Sequence, residues 1–242
     1  MERKSRTIAR QITRPSWSVT PEIVRFDDRI DEELLRDLVA DVAAVMESGQ
    51  AYKRCRARWV VRLDHPGGPV VIKLFTERSL QHTLKQRFQR SRARRAADQA
   101  FRFVEQGFRT PLPLALLQEE HGPFRGNSCL VYEFIDGLTL AEGPGPMIEP
   151  IARAAGKTPL EFIRDKMNQT RDQLIDFGLA HLDCHGGNFM LDRDGEMYLL
   201  DIDSIRPALR RKKNVGKLKF LFSLIDEGVC RRIAFDAGKS VA

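Results

Sequence analysis

The four cysteines of this 242-residue chain, at positions 55, 129, 184 and 230, form no CxxC pair. Their spacing argues against a zinc ribbon and against a disulfide framework, and it fits a reducing compartment. No apolar run approaches the ~20 residues needed to cross a bilayer. The opening MERKSRTIARQITR is basic but leads into no apolar stretch, so it does not read as a secretory signal. A cytoplasmic protein is the expectation. Acidic excess is missing too: 40 Lys and Arg against 33 Asp and Glu leave a net charge of +7. That balance points to an acidic partner, whether nucleic acid, an anionic membrane surface or a phosphorylated substrate. At 42% hydrophobic and 30% charged residues, the chain can bury a substantial core, as one domain or as two small lobes.

The richest stretch runs from His181 to Asp203, HLDCHGGNFMLDRDGEMYLLDID. Asp183 and Asn188 lie in a Gly-rich loop. Phe189, Met190 and Leu191 read as a short strand, Asp192 to Gly195 as a turn, and Tyr198 to Leu200 as the returning strand. Such a hairpin brings Asn188 and Asp201 to the same end. An amide oxygen and a carboxylate meeting there make a hard-oxygen site suited to magnesium carried by a nucleotide. His181, Asp183 and His185 could instead form a zinc-hydrolase cluster, since two His and one Asp can hold zinc.

HxDxxxxN followed by an apolar hairpin and an Asp resembles the catalytic centre of the protein-kinase-like phosphotransferases. The form HLDCHGGN is similar to sugar kinases of the aminoglycoside and lipopolysaccharide groups. IDSIRP followed by a Lys/Arg cluster resembles the lipopolysaccharide core kinases, which phosphorylate Kdo or heptose. The resemblance covers roughly residues 50 to 225. It implies an α+β, two-lobed protein-kinase-like fold, with a small antiparallel-sheet N-lobe over 17–135 and a mainly helical C-lobe over 136–242, after a basic tail over 1–16. It further implies that Asp183 accepts the proton of an acceptor hydroxyl, that Asn188 and Asp201 bind Mg2+, and that Lys73 of VVIK grips the phosphates of ATP. Adenine would meet backbone groups near Glu133 and Ile135 of LVYEFIDG. His181 would be a structural hydrogen-bonder, Asp203 a further metal contact or a structural residue. Cys184 and His185 receive no chemistry.

Other stretches fill in this plan. The spacing of Leu34, Leu35, Leu38, Val39, Val42, Val45 and Met46 predicts one helix over 31–48. Trp59 to Leu63 and Val70 to Phe75 read as strands joined by a turn. Residues 79–106 read as one long helix or two shorter ones, with Ala96, Ala97, Ala100, Phe101 and Val104 toward the core. From Lys85 to Arg102 this region carries seven Lys or Arg and one acid, either a solvated face or a dock for an anionic sugar-lipid. Gly/Pro-rich 142–150 predicts irregular chain. Thr158-Pro159-Leu160-Glu161 predicts a helix start. Leu218 to Ile225 suggest a final helix.

Three departures from the protein-kinase pattern bear on function. No GxGxxG precedes Lys73; the basic Tyr52 to Arg58 stands there. Ala96 or Ala97 occupies the place of the helix Glu that pairs with the strand lysine, with Asp98 the nearest substitute. No APE motif follows Asp203, which favours a small hydroxyl acceptor over a protein. The reading is an ATP- and magnesium-dependent kinase acting on a lipopolysaccharide core sugar. It is expected to be cytoplasmic, with peripheral contact on the inner membrane face, and not to bind nucleic acid. The alternatives are another small-molecule or protein kinase, or a nucleotide-binding pseudokinase.

Overall fold

The computed structural model describes residues 14–55, 58–76, 91–121, 124–143, 145–181 and 183–207. Most of the basic tail, the first part of the basic helical stretch and the C-terminal helix expected over 218–225 lie outside the described residues. The chain is mixed α/β and divides into two compact units. The first draws on residues up to Arg94 and on Pro113–Glu133, the second on Arg95–Leu112 and on Phe134 onward.

The first unit holds one six-stranded antiparallel sheet. Its strands are β1 (Glu22–Arg25), β2 (Gln50–Cys55), β3 (Arg58–Leu63), β4 (Val70–Phe75), β5 (Pro113–His121) and β6 (Phe124–Glu133), in the order β1-β5-β6-β4-β3-β2. Strand β4 lies between β3 and β6, and it is mostly buried along its length. A strand covered on both faces needs a near-continuous apolar run, and VVIKLF supplies one. Trp59, Val61, Ile72, Leu74, Leu117 and Val131 form a core with Leu35, Leu38 and Met46 of the two preceding helices.

Those helices correct the expectation of one helix over 31–48. Helix α1 spans Glu32–Ala40 and α2 spans Val42–Ser48. Asp41 breaks them, at φ −151° and ψ 86°, and its carboxylate accepts from the Ala44 N–H at 3.0 Å. The apolar spacing continues across Asp41, but its short acidic side chain does more as a cap than inside a helix. A second short acid arrangement ties down the chain before β1. Glu119 is only 1% exposed. Its carboxylate accepts from the Ser18 hydroxyl at 2.8 Å, the Ser18 and Val19 amides, and the Asn127 amide at 2.6 Å. Trp17 Nε1 donates to the Leu38 carbonyl at 2.7 Å. A Cβ at residue 126 would collide with the Glu119 side chain, so the tight approach needs Gly126.

The second unit packs α3 (Arg92–Glu105, entering this unit at Arg95), α4 (Gly145–Ala154) and α5 (Pro159–Asp176) with short strands. Strands β7 (Gly137–Thr139), β9 (Phe189–Asp192) and β10 (Met197–Leu199) form one antiparallel sheet in the order β10-β9-β7. Strands β8 (Leu179–His181) and β11 (Ile205–Pro207) form another. Helix α5 starts as expected: Thr158 and Glu161 form a capping box and Pro159 opens the helix. Its buried side is Phe162, Ile163, Met167, Thr170 and Leu174, with Leu160 and Ile175 only partly buried.

Two expectations fail here. In α3 the buried stripe is Ala93, Ala96, Ala97, Ala100 and Phe103, while Val104 is 41% exposed; the stripe follows i, i+3, i+4, i+7 and turns Val104 outward. The 142–150 stretch is not irregular throughout, because α4 runs through Pro150. Pro150 forfeits one helical hydrogen bond. Burial of Ile148 and Ala152 in the core offsets that loss.

Candidate functional site

The loop expected to carry chemistry is fastened at both ends. Strand β8 pairs antiparallel with β11, opposing His181 to Ile205. Gln99 of α3 donates from Nε2 to the Ile205 carbonyl at 3.0 Å. Between these clamps, β9 and β10 form the predicted hairpin, with Leu199 opposite Phe189. The pairing continues one step further: the Leu200 amide donates to the Asn188 carbonyl at 2.8 Å. Asn188 and the residue before Asp201 are thus hydrogen-bonded neighbours at the open end of the hairpin.

Backbone geometry sets each side chain. Gly186–Asn188 is a single 3-10 turn. His185 caps it, its Nδ1 accepting from the Gly187 N–H at 3.1 Å. Gly186 packs against the Leu140–Ala141 backbone, where a Cβ would stand 3.1 Å from the Ala141 nitrogen. Asn188 is buried, and its Nδ2 donates to the Asp183 carbonyl at 2.7 Å. This side-chain bond joins the two ends of the loop. Asp201 has φ 50° and ψ 40° and precedes the 3-10 turn Ile202–Ser204. Among the described residues it is the one non-glycine with positive φ. Left-handed backbone is disfavoured for side chains with a Cβ, and such strain concentrates at working sites.

His181 is 1% exposed, its ring tilted against Phe189 at 6.0 Å between centroids. Burial lowers its pKa, opposed by the Leu200 backbone and by the negative charges of Asp183 and Asp201. Neither ring nitrogen meets an ordinary hydrogen-bond partner among the described residues. His181 thus packs against the apolar Phe189 ring with the Leu200 backbone beside it.

Asp183 projects outward, its carboxylate 63% exposed, with Oδ2 3.7 Å from His185 Nε2. Cys184 is partly buried, and burial first, then Asp183, pushes its thiol up to about 12. A thiol held protonated is a poor metal ligand or nucleophile. Among the described residues no group of three or more His, Cys, Asp or Glu gathers as a metal cage. Asn188 and Asp201 both offer hard side-chain oxygens, at residues linked along the chain and by the Leu200-to-Asn188 backbone bond. Asp203 is half-buried in the turn beyond.

Lys73 and Glu133 belong to the first unit. Lys73 is buried in mid-β4, opposite Val60 and Leu130, with its ammonium 5.2 Å from the Phe75 ring. Glu133 ends β6, and its carboxylate meets the Arg29 guanidinium at 3.3 Å. Ile135 belongs to the second unit and is half-buried in the connection to β7. Asp98 is half-buried in α3 and Glu105 is exposed. The pinning of the loop by Asn188 and the His185 cap were not anticipated from the sequence. A side-chain acceptor two residues before a glycine N–H was the signal for the second.

The chain is similar in fold to WaaP. That structure, of WaaP in complex with acyl carrier protein, matches over 81% of this chain and 77% of WaaP, at 17% identity and a TM-score of 0.51. Two structures of the bifunctional kinase-methyltransferase WbdD also match, at 22% identity with TM-scores of 0.43 and 0.46, over 69% and 72% of this chain and 34% and 36% of WbdD. No protein-family model and no curated protein sequence matches the chain. The likeness to WaaP supports the kinase-like fold expected from HxDxxxxN. No described helix is long and apolar enough to cross a membrane.

Proposed function

We propose that this protein transfers the γ-phosphoryl group of ATP to a hydroxyl, the acceptor being a lipopolysaccharide core sugar, Kdo or heptose. One observation carries the reading: the Leu200 amide, one residue before Asp201, bonds the Asn188 carbonyl at the open end of one hairpin, while Asp183, bonded through its carbonyl to Asn188, faces outward. Magnesium keeps several waters and substrate phosphates in its shell, so two protein oxygens suffice. With Nδ2 of Asn188 committed to Asp183, Oδ1 is the atom it offers a cation. Mg2+ held by Asn188 and Asp201 would offset the negative charge of the transferring group.

The chain's own part is positioning and proton transfer. The acceptor oxygen bonds to the γ-phosphorus as the bond to the bridging oxygen breaks, and ADP leaves with that oxygen. The hydroxyl proton goes to the Asp183 carboxylate. Lys73 holds the phosphates, and backbone groups at Glu133 and Ile135 hold adenine. A net charge of +7 and the Lys/Arg cluster from Arg206 to Lys219 suit an anionic sugar-lipid at the inner face of the membrane, reached from the cytoplasm. Ala96 and Ala97, where a kinase helix carries its Glu, favour the pseudokinase as the second reading.

Incubation with magnesium-ATP and a panel of core oligosaccharides, followed by mass spectrometry, should show an added phosphate. Asp183→Ala should reduce transfer by about 10²- to 10⁴-fold. Equal rates in the two proteins would leave a nucleotide-binding pseudokinase.

A further inference from the structure

Beyond capping its turn, His185 places its ring between that turn and Asp183. Its Nδ1 accepts from the Gly187 N–H at 3.1 Å. A nitrogen that accepts a hydrogen bond carries no proton, so the neutral ring must bear its hydrogen on Nε2. That nitrogen faces Asp183 Oδ2 at 3.7 Å. The gap exceeds hydrogen-bond range by about half an ångström, a small movement for two exposed side chains. The Gly187 N–H bond holds one edge of the ring on the turn. A Cβ at residue 187 would stand 3.1 Å from His185 Cε1 and 3.2 Å from Nδ1, so glycine lets the ring lie flat on the turn. The His185 carbonyl also accepts from the Asn188 amide at 2.9 Å. One residue therefore touches the turn, Asn188 and the neighbourhood of Asp183.

We propose that His185 is a positioning residue for Asp183. The turn fixes its tautomer, and the Nε2–H holds Oδ2 of Asp183, leaving Oδ1 to take the proton of the acceptor hydroxyl. This rests on the phosphotransferase reading for its catalytic consequence, though not for its geometry.

Two substitutions separate the two ring nitrogens. Asn at 185 can still accept from the Gly187 N–H but offers nothing at the place of Nε2. Gln at 185 places an N–H near that position and weakens the cap. His185→Asn should lower kcat on the order of tenfold to hundredfold, with KM for ATP unchanged, as misplacement of a reacting group does. His185→Gln should recover most of the rate. Wild-type kcat in the Asn variant, or a Gln variant no better than Asn, would reduce His185 to a cap and overturn the proposal. A nitrogen-15 spectrum of the histidines reads the geometry without any turnover. The His185 signal, identified by its loss in His185→Asn, should be that of the Nε2–H tautomer and should shift in Asp183→Ala. The Nδ1–H tautomer, or no shift in Asp183→Ala, would overturn it. Absence of phosphoryl transfer in the wild type, with the tautomer and its shift as expected, would sink the phosphotransferase reading and leave the contact standing.

Discussion

Two hairpins carry the candidate chemistry, and they hold it in different ways. In β3–β4 the lysine sits mid-strand, with ladder partners on both sides and buried chain neighbours in Ile72 and Leu74. In β9–β10 the amide and the carboxylate sit just past the strand ends, where pairing stops. There, single bonds from Asn188, His185 and Leu200 take over. A sheet interior fixes a side chain through many contacts, none of them individually decisive. A hairpin mouth fixes one through a few, each of which matters, while leaving the groups open to a ligand.

The largest expected effect is on the first hairpin. Leu74→Ala should cost about 2–5 kcal/mol in chemical denaturation, because the emptied site is closed in on every side. Lys73→Met, which keeps the stem, should hold stability within about 1.5 kcal/mol of the wild type and abolish transfer from ATP. A large stability loss with transfer retained would reverse the assignment. On the second hairpin, Asn188→Ala should cost about 1–3 kcal/mol, since it removes a buried donor and leaves the Asp183 carbonyl without it. Hydrogen exchange should rise at residues 183–188 and remain slow in β4.

Acid should act on the second unit. His181 has a folded pKa below its ordinary 6.5 because it is buried. Below 6.5 the unfolded chain binds a proton that the folded chain refuses, so stability is full above that value and falls as pH drops toward the folded pKa. Thermal unfolding from pH 7.5 to 5 should show the decline, and His181→Phe should flatten it. The smallest effect belongs to a helix end away from both hairpins. Thr158→Ala removes one capping bond and should cost about 1 kcal/mol.

Both hairpins were legible in the sequence because two short apolar runs joined by a Gly-containing turn fix a register, and register decides what lies opposite what. That logic put Asn188 and Asp201 at one end of the hairpin before any coordinates, and the structure bonds Asn188 to Leu200, the residue before Asp201. The start of α5 was legible because capping is chemistry between residues three apart. Where longer-range packing decides, the pattern misled. Asp41 interrupts a helical spacing that runs on unchanged across it. Pro150 sits in a helix because Ile148 and Ala152 have a core to enter. Phe103, not Val104, faces inward, a rotation of one residue that α3's alanines fixed once they packed. Glu119 lies near the end of β5, whose polar tip looks solvent-facing, and two of its partners, Ser18 and Val19, lie about a hundred positions away.

The fastening of Ser18 to that acid reaches beyond the strand it closes. A shortened protein beginning at Thr20 would keep every described sheet and helix residue and still strand a carboxylate in the interior, facing little but Asn127. Bacterial expression of such a truncation should yield insoluble material, and exchanging Glu119 for Leu in the same truncation should bring part of it back into solution.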